Sequence, residues 1–240
     1  MIAVRKALAN IPVYMICDDH EITYDWYITL NWCNRVLSKL LGKRVILNGL
    51  LAFAVFQAWG NTHDSFKNSN AGEELLKAAS NWRGNMDGYE STISKCLGML
   101  ELSDINDKKK LSHPTGSLNW HYVVDGPKYQ SQSADGNSIT RLLYRVIVLD
   151  TRTWRSYPRN DKDGLDPPAL LSEEAFDKQI PKLDITIDGV DIMLVLVATP
   201  VEGVPLVEDI QGFLATFFRS KKKKSKAMEK YDYEAWGNQH

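Results

Sequence analysis

Cysteine is scarce in this chain: Cys17, Cys33 and Cys96 are the whole complement. Three scattered thiols supply neither a disulfide framework nor a zinc ribbon, so each is expected to be a buried free thiol. Long apolar runs are lacking too. Ile46–Trp59 comes nearest, but Asn48 and Gln57 interrupt it before the ~20 residues of a membrane span. The start of the chain has no separated apolar region with a small-residue cleavage site, which predicts no signal peptide and a cytoplasmic default location. Excess charge of either sign is absent. Lys and Arg number 29 against 30 Asp and Glu, so no global field selects nucleic acid or a membrane surface as partner. There is no Gly-rich phosphate loop, no Gly-x-Ser-x-Gly elbow and no His-Glu-x-x-His pair.

What is present suits one α/β domain: 240 residues, 44% of them hydrophobic, enough for a real core. Val13–Cys17 is apolar, follows a proline and runs into acids, as the carboxyl end of a buried strand does. A helical stretch from Trp26 to Leu41 follows, with Gly42 as its stop. A second helix over Val45–Trp59 is apolar nearly all round and belongs against the core. Shorter helices are expected over 72–82 and 89–100. Residues 101–117 read as an exposed loop, and Trp120–Val124 as a strand. Gly126–Ser138 is a turn-rich connection, and Leu142–Leu149 a strong strand that ends at Asp150. Residues 156–170 are loop. Ser172–Gln179 opens like a capped helix. Asp191–Pro200 gives a third strong strand and Val207–Ser220 an amphipathic helix. Lys221–Lys226 is a basic run, better read as a solvated linker than as a targeting signal or an anion-binding patch. Strands alternating with helices predict an α/β layered sheet flanked by helices.

Two constellations carry chemistry. Asp18-Asp19-His20-Glu21 crowds three acids around a histidine, and such crowding needs a compensating positive charge. Carboxylate oxygen and imidazole nitrogen suit hard metal ions. The alternative is a solvated turn whose acids cap a helix. The second constellation is Asp150, Arg152 and Arg155, just past a strand end. Two guanidinium forks there could clamp a phosphate ester. They could instead pair with Asp150 or with Asp161, Asp163 and Asp166, and Asp150 itself is better placed to order the turn than to bind metal. His63, His113, His121 and His240 show no metal-ligand spacing, and His121 reads as a packing residue.

Ile11–Trp26, IPVYMICDDHEITYDW, resembles the active-site loop of the PhoD-like phosphatases, within the calcineurin-like metallophosphoesterases. Further stretches match in order: Ile46–Asn61, then Trp120–Gln130, then Arg145–Pro158 with its LDTR. Leu165–Pro181 and Leu194–Gln211 follow, and Asp232–His240 with its Asp-x-Glu-x-Trp comes last. The resemblance implies part of an αββα sandwich that hydrolyses phosphate mono- or diesters with two or more divalent or trivalent metal ions. It places Asp19, with Asp18, at metal-ligand positions and His20 against the phosphate and leaving group. Arg152 and Arg155 become substrate contacts, with Glu21, Asp25 and Asp150 as supports of the loop. The family's upstream Asp and Gly-Asp motifs and its downstream Gly-Asp-x-His motif have no match here. The expectation is therefore a single partial domain over 1–240, an interior piece that is inactive alone and completed by the missing parts of the same domain. The alternative is a non-catalytic interaction module derived from such an enzyme.

Overall fold

A computed structural model of the chain describes residues 2–23, 26–85, 88–133, 135–157, 168–180 and 189–199. Asp25, the helix expected over Val207–Ser220, the run Lys221–Lys226 and the stretch Asp232–His240 lie outside the described residues. The class is mixed α/β, as expected: a helical half built from roughly the first 108 residues, followed by a four-stranded sheet.

The helical half contains α1 (Ile2–Leu8), α2 (Leu30–Leu37), α3 (Leu40–Phe53), α5 (Ala71–Asn81), α6 (Gly88–Cys96) and α7 (Leu102–Lys108). α3 runs through a π-helical turn (Ala54–Ala58) into a last turn, α4 (Trp59–Asn61). The expected helix over Trp26–Leu41 is shorter and broken. Thr29 starts α2 by accepting the Trp32 N–H at 3.1 Å, and Ser38–Lys39 separates α2 from α3. Gly42 is no stop. It lies inside α3, where a Cβ would sit 2.1 Å from the Val36 carbonyl oxygen, so glycine there lets the two helices meet.

Leu40–Asn61 forms one helical rod of 22 residues, within which an 18-residue stretch has mean hydropathy 1.4. By length and composition it could cross a membrane, which corrects the expectation that no run is long enough; Leu40 and Leu41 extend it at the front. It is not buried all round either. Ile46, Leu47, Leu50, Phe53, Ala54 and Ala58 enter the main core, while Leu40, Leu41, Phe56 and Trp59 are exposed. α7 falls where an exposed loop is expected. Its charged sequence hides one buried anchor, Ile105, and Lys109 ends it in the left-handed region at φ 52°.

β1 (Tyr122–Asp125) and β2 (Lys128–Gln132) both pair antiparallel with β3 (Ser138–Val148), in one continuous register. They are two halves of one long strand, interrupted at Gly126-Pro127, where proline has no N–H to give. β2 falls where a turn-rich connection was expected, because its exposed KYQSQ carries no apolar alternation. β4 (Val190–Leu196) runs parallel to β3 on the other side. A smaller cluster of Ile147, Leu149, Trp154, Leu171 and Ala175, separate from the bundle core, packs at the carboxyl end of β3. α8 (Glu173–Gln179) covers that end, capped by Ser172 accepting the Ala175 N–H at 3.2 Å.

Val13–Cys17 is not a strand among the described residues: it has no ladder partner. Side chains hold it instead. Asn61 accepts the Met15 N–H at 2.9 Å and donates to the Met15 carbonyl at 2.7 Å, and the Tyr122 hydroxyl donates to the same carbonyl at 2.9 Å. The segment delivers the chain to a turn lying against α3. Gly49 makes that approach possible: a Cβ there would meet Ile22 Cδ1 at 2.7 Å and Ile22 Cα at 3.1 Å. Gly49→Val should therefore cost about 1–3 kcal/mol by overpacking, despite valine's better helix propensity, as read by denaturant unfolding.

Candidate functional site

Asp18 is extended (φ −127°, ψ 176°) and caps a 3-10 turn over Asp19–Glu21. The Glu21 carboxylate reaches back to accept the Asp18 N–H at 3.0 Å. The Ile22 and Thr23 N–H groups both donate to the Asp19 carbonyl at 2.9 Å. This is a capping box on a single turn, so the capped-turn alternative describes the backbone correctly. The side chains do something more. Asp19 is buried at 5% exposure, His20 stands out at 68% for its side chain, and Asp18 lies between. One ligand atom from each of the three lies within 4.8 Å of the others.

The positive charge that this crowding demands comes from Arg152. Its Nη2 lies 2.5 Å from Asp18 Oδ1 and 3.4 Å from Asp19 Oδ1, with the arginine side chain 1% exposed. Burial pushes the Asp18 carboxyl up; the Arg152 guanidinium and the Asp19 N–H outweigh it and hold the carboxyl below its ordinary value. Among the described residues, Arg152 pairs with the acidic turn; Asp161, Asp163 and Asp166 lie outside the described residues. An ion pair this enclosed is costly to break from one side, because the remaining charge stays desolvated. Arg152→Met should destabilise the chain by on the order of 3 kcal/mol, measured by urea unfolding at neutral pH.

The turn 150–153 aims that arginine. Asp150 is fully buried. Its Oδ1 accepts the Arg152 and Thr153 N–H groups, both at 2.9 Å, and the Thr153 hydroxyl contacts its other oxygen. Asp150 orders the turn, as its sequence position suggested. Gln179 on α8 ties the same residue from outside, accepting the Asp150 N–H at 2.8 Å and donating to its carbonyl at 3.2 Å. Arg155 is wholly buried, and its Nε donates to the Thr151 carbonyl at 2.9 Å. Its charge lies near the Cys33 thiol and the Tyr157 hydroxyl. The three cysteines are buried and free, as expected.

Two residues of this region have roles that no local pattern shows. His113 was placed in an exposed loop, yet it is buried and its Nε2 lies 2.5 Å from Thr153 Oγ1. Gln179 was legible only as the polar end of a helix. Burial pushes His113 down to about 4, against the pull of the nearby Asp150 carboxylate, and lowers His121 as well. Both side chains are more basic in the unfolded chain. Their stabilising contribution is complete above the ordinary histidine value of 6.5 and declines as pH falls below it, that of His113 being lost toward about 4. The melting temperature should drop between pH 7 and pH 4.5, and His113→Gln should flatten part of that slope in a pH series of thermal melts.

Comparison with known proteins finds no family model that matches the chain, no curated protein that matches it and no solved structure that matches it. Away from the acidic turn, a groove of about 650 Å³ lies between the start of α3 and α6, lined by Leu40, Arg44, Leu47, Glu90, Met99 and Leu100 among others. It shares no residue with the Asp18–Glu21 turn.

Proposed function

We propose that Asp18–Glu21 is one metal- and phosphate-facing loop of a PhoD-like, metal-dependent hydrolase of phosphate mono- or diesters. The observation that carries this reading is the convergence of Asp18, Asp19 and His20 on one point, closed by a buried arginine from 134 residues away in sequence. The ordered motif resemblance supports it independently.

The donor set fits a hard ion in type. Two carboxylates and one imidazole are oxygen and nitrogen donors, but they cover only half of the roughly six contacts such an ion takes. Asp19, His20 and Asp18 would hold it, and further ligands and a second ion would need other parts of the domain. When bound, the ions would supply a water of lowered pKa and neutralise charge on phosphorus. The chain's own residues do the rest. Arg152, 1% exposed, keeps the two carboxylates in place, so it is better supported as a brace of the acidic turn than as a phosphate contact. His20 is exposed, so its imidazole can reach a leaving oxygen and give it a proton. Arg155 is better supported as a brace of the turn than as a phosphate contact, since its Nε is spent on Thr151.

Mn²⁺ titration by calorimetry into this chain, and hydrolysis of p-nitrophenyl phosphate and its diester by the longest product of its gene, test the proposal. Asp19→Asn should weaken Mn²⁺ binding at least about tenfold. His20→Ala should lower kcat by about 10²–10⁴-fold while the metal still binds. Hydrolysis that persists undiminished in chelator would overturn the metal mechanism.

One observation favours a second reading, a non-catalytic interaction module. Ile192, Leu194, Val195 and Leu196 on β4 are all about half exposed, on both faces of the strand. Contiguous apolar surface of this kind marks a contact site. A sharp melt and a monomeric elution of residues 1–240 would support the module. Aggregation would support a domain that needs its other parts.

A further inference from the structure

The turn that carries Arg152 is braced from behind by His113, a residue outside every motif. Its side chain is 3% exposed. The imidazole stacks on Trp154 with ring centroids 5.4 Å apart and meets Trp120 edge-on at 5.9 Å. Nδ1 bonds to the Leu118 carbonyl, and Nε2 lies 2.5 Å from Thr153 Oγ1. Thr153 Oγ1 stands between His113 Nε2 and Asp150 Oδ2, its single proton serving one of them at a time, and Asp150 Oδ1 accepts the Arg152 N–H at 2.9 Å. Arg152 then reaches Asp18 at 2.5 Å. The space for the ring is specific. Gly98, at φ +70°, sits where a Cβ would be 2.7 Å from His113 Nδ1. Burying an imidazole costs desolvation that an apolar ring would not incur, and its Nε2 is directed to the turn that aims Arg152.

We infer that His113 is the positioning residue for Arg152: through Thr153 and Asp150 it fixes the backbone from which the guanidinium reaches the Asp18–Asp19 carboxylates. The inference rests on the reading of that pair as a ligand site for its functional meaning, but not for its test. A packing role requires only the flat ring, and a positioning role requires the nitrogen facing Thr153. Two substitutions separate them. His113→Phe keeps the stacking on Trp154 and loses both nitrogens. His113→Gln loses the ring and keeps a polar atom within reach of the hydroxyl.

The readout is the Nε–Hε resonance of Arg152 in the ¹⁵N-labelled full chain, assigned by its loss in Arg152→Lys, with a thermal melt recorded for each variant. The expected result is a shifted, exchange-broadened Arg152 signal in His113→Phe and in Thr153→Val, and a signal close to the original in His113→Gln. An unmoved signal in a folded His113→Phe or Thr153→Val would overturn the inference. So would loss of the signal in His113→Gln with retention in His113→Phe. Should His113→Phe fail to fold, Thr153→Val and His113→Gln decide by the same criteria. Mn²⁺ titration of the unmodified chain reports separately on the ligand reading, so an absence of metal binding alongside a moved Arg152 signal would sink that reading and leave the positioning role standing.

Discussion

The site depends on one electrostatic contact, a buried guanidinium set against two neighbouring carboxylates. Asp18 and Asp19 follow each other in sequence, and neither can be ionised cheaply beside the other without a cation. Arg152 provides that cation from the far side of the domain. It also joins the two halves of the fold. The acidic turn leans on α3 through Gly49, and the Asp150–Thr153 turn hangs from the end of β3. The pair is at once the electrostatic centre of the candidate site and a tie between the helical bundle and the sheet.

That contact changes the argument for metal. Crowded acids demand positive charge, and from sequence a metal ion is the economical source. The arginine meets much of the same demand with protein alone. The metal proposal then rests on the arrangement left over: a buried Asp19, an outward His20 within 3.8 Å of it, and a carboxylate oxygen of Asp18 within 4.8 Å of both. The arginine pre-sets these groups, and a bound ion would share the carboxylates with it.

The strongest elements were legible because their patterns are local. β3 and β4 are long β-rich apolar runs, and Ser172 is a capping residue followed by acids. The turn at Asp18–Glu21 and the ordering role of Asp150 could be read from side-chain type and position. What could not be read depended on distant partners. Val13–Cys17 has the composition of a strand, but a strand exists only beside another. α7 and β2 have polar sequences whose order comes from single anchors such as Ile105 and from pairing with β3. The pairing of Arg152 with Asp18 spans 134 residues, and no local pattern chooses it over the nearer acids. His113 sits in a Ser-His-Pro context that reads as loop, and only the void beside Gly98 gives its ring a place.

Asn61 grips Met15 by both backbone groups, doing at one residue what a neighbouring strand does along a whole edge. A ladder would fix the segment along its length; a single amide fixes it at a point. The acidic turn therefore hangs between a pivot at Met15 and a latch at Arg152, with α3 as the stop behind it. Its distance from the bundle is set at the pivot and its orientation at the latch. An amide 46 residues from Met15 in sequence thus becomes part of the site's alignment without touching any group that would do chemistry.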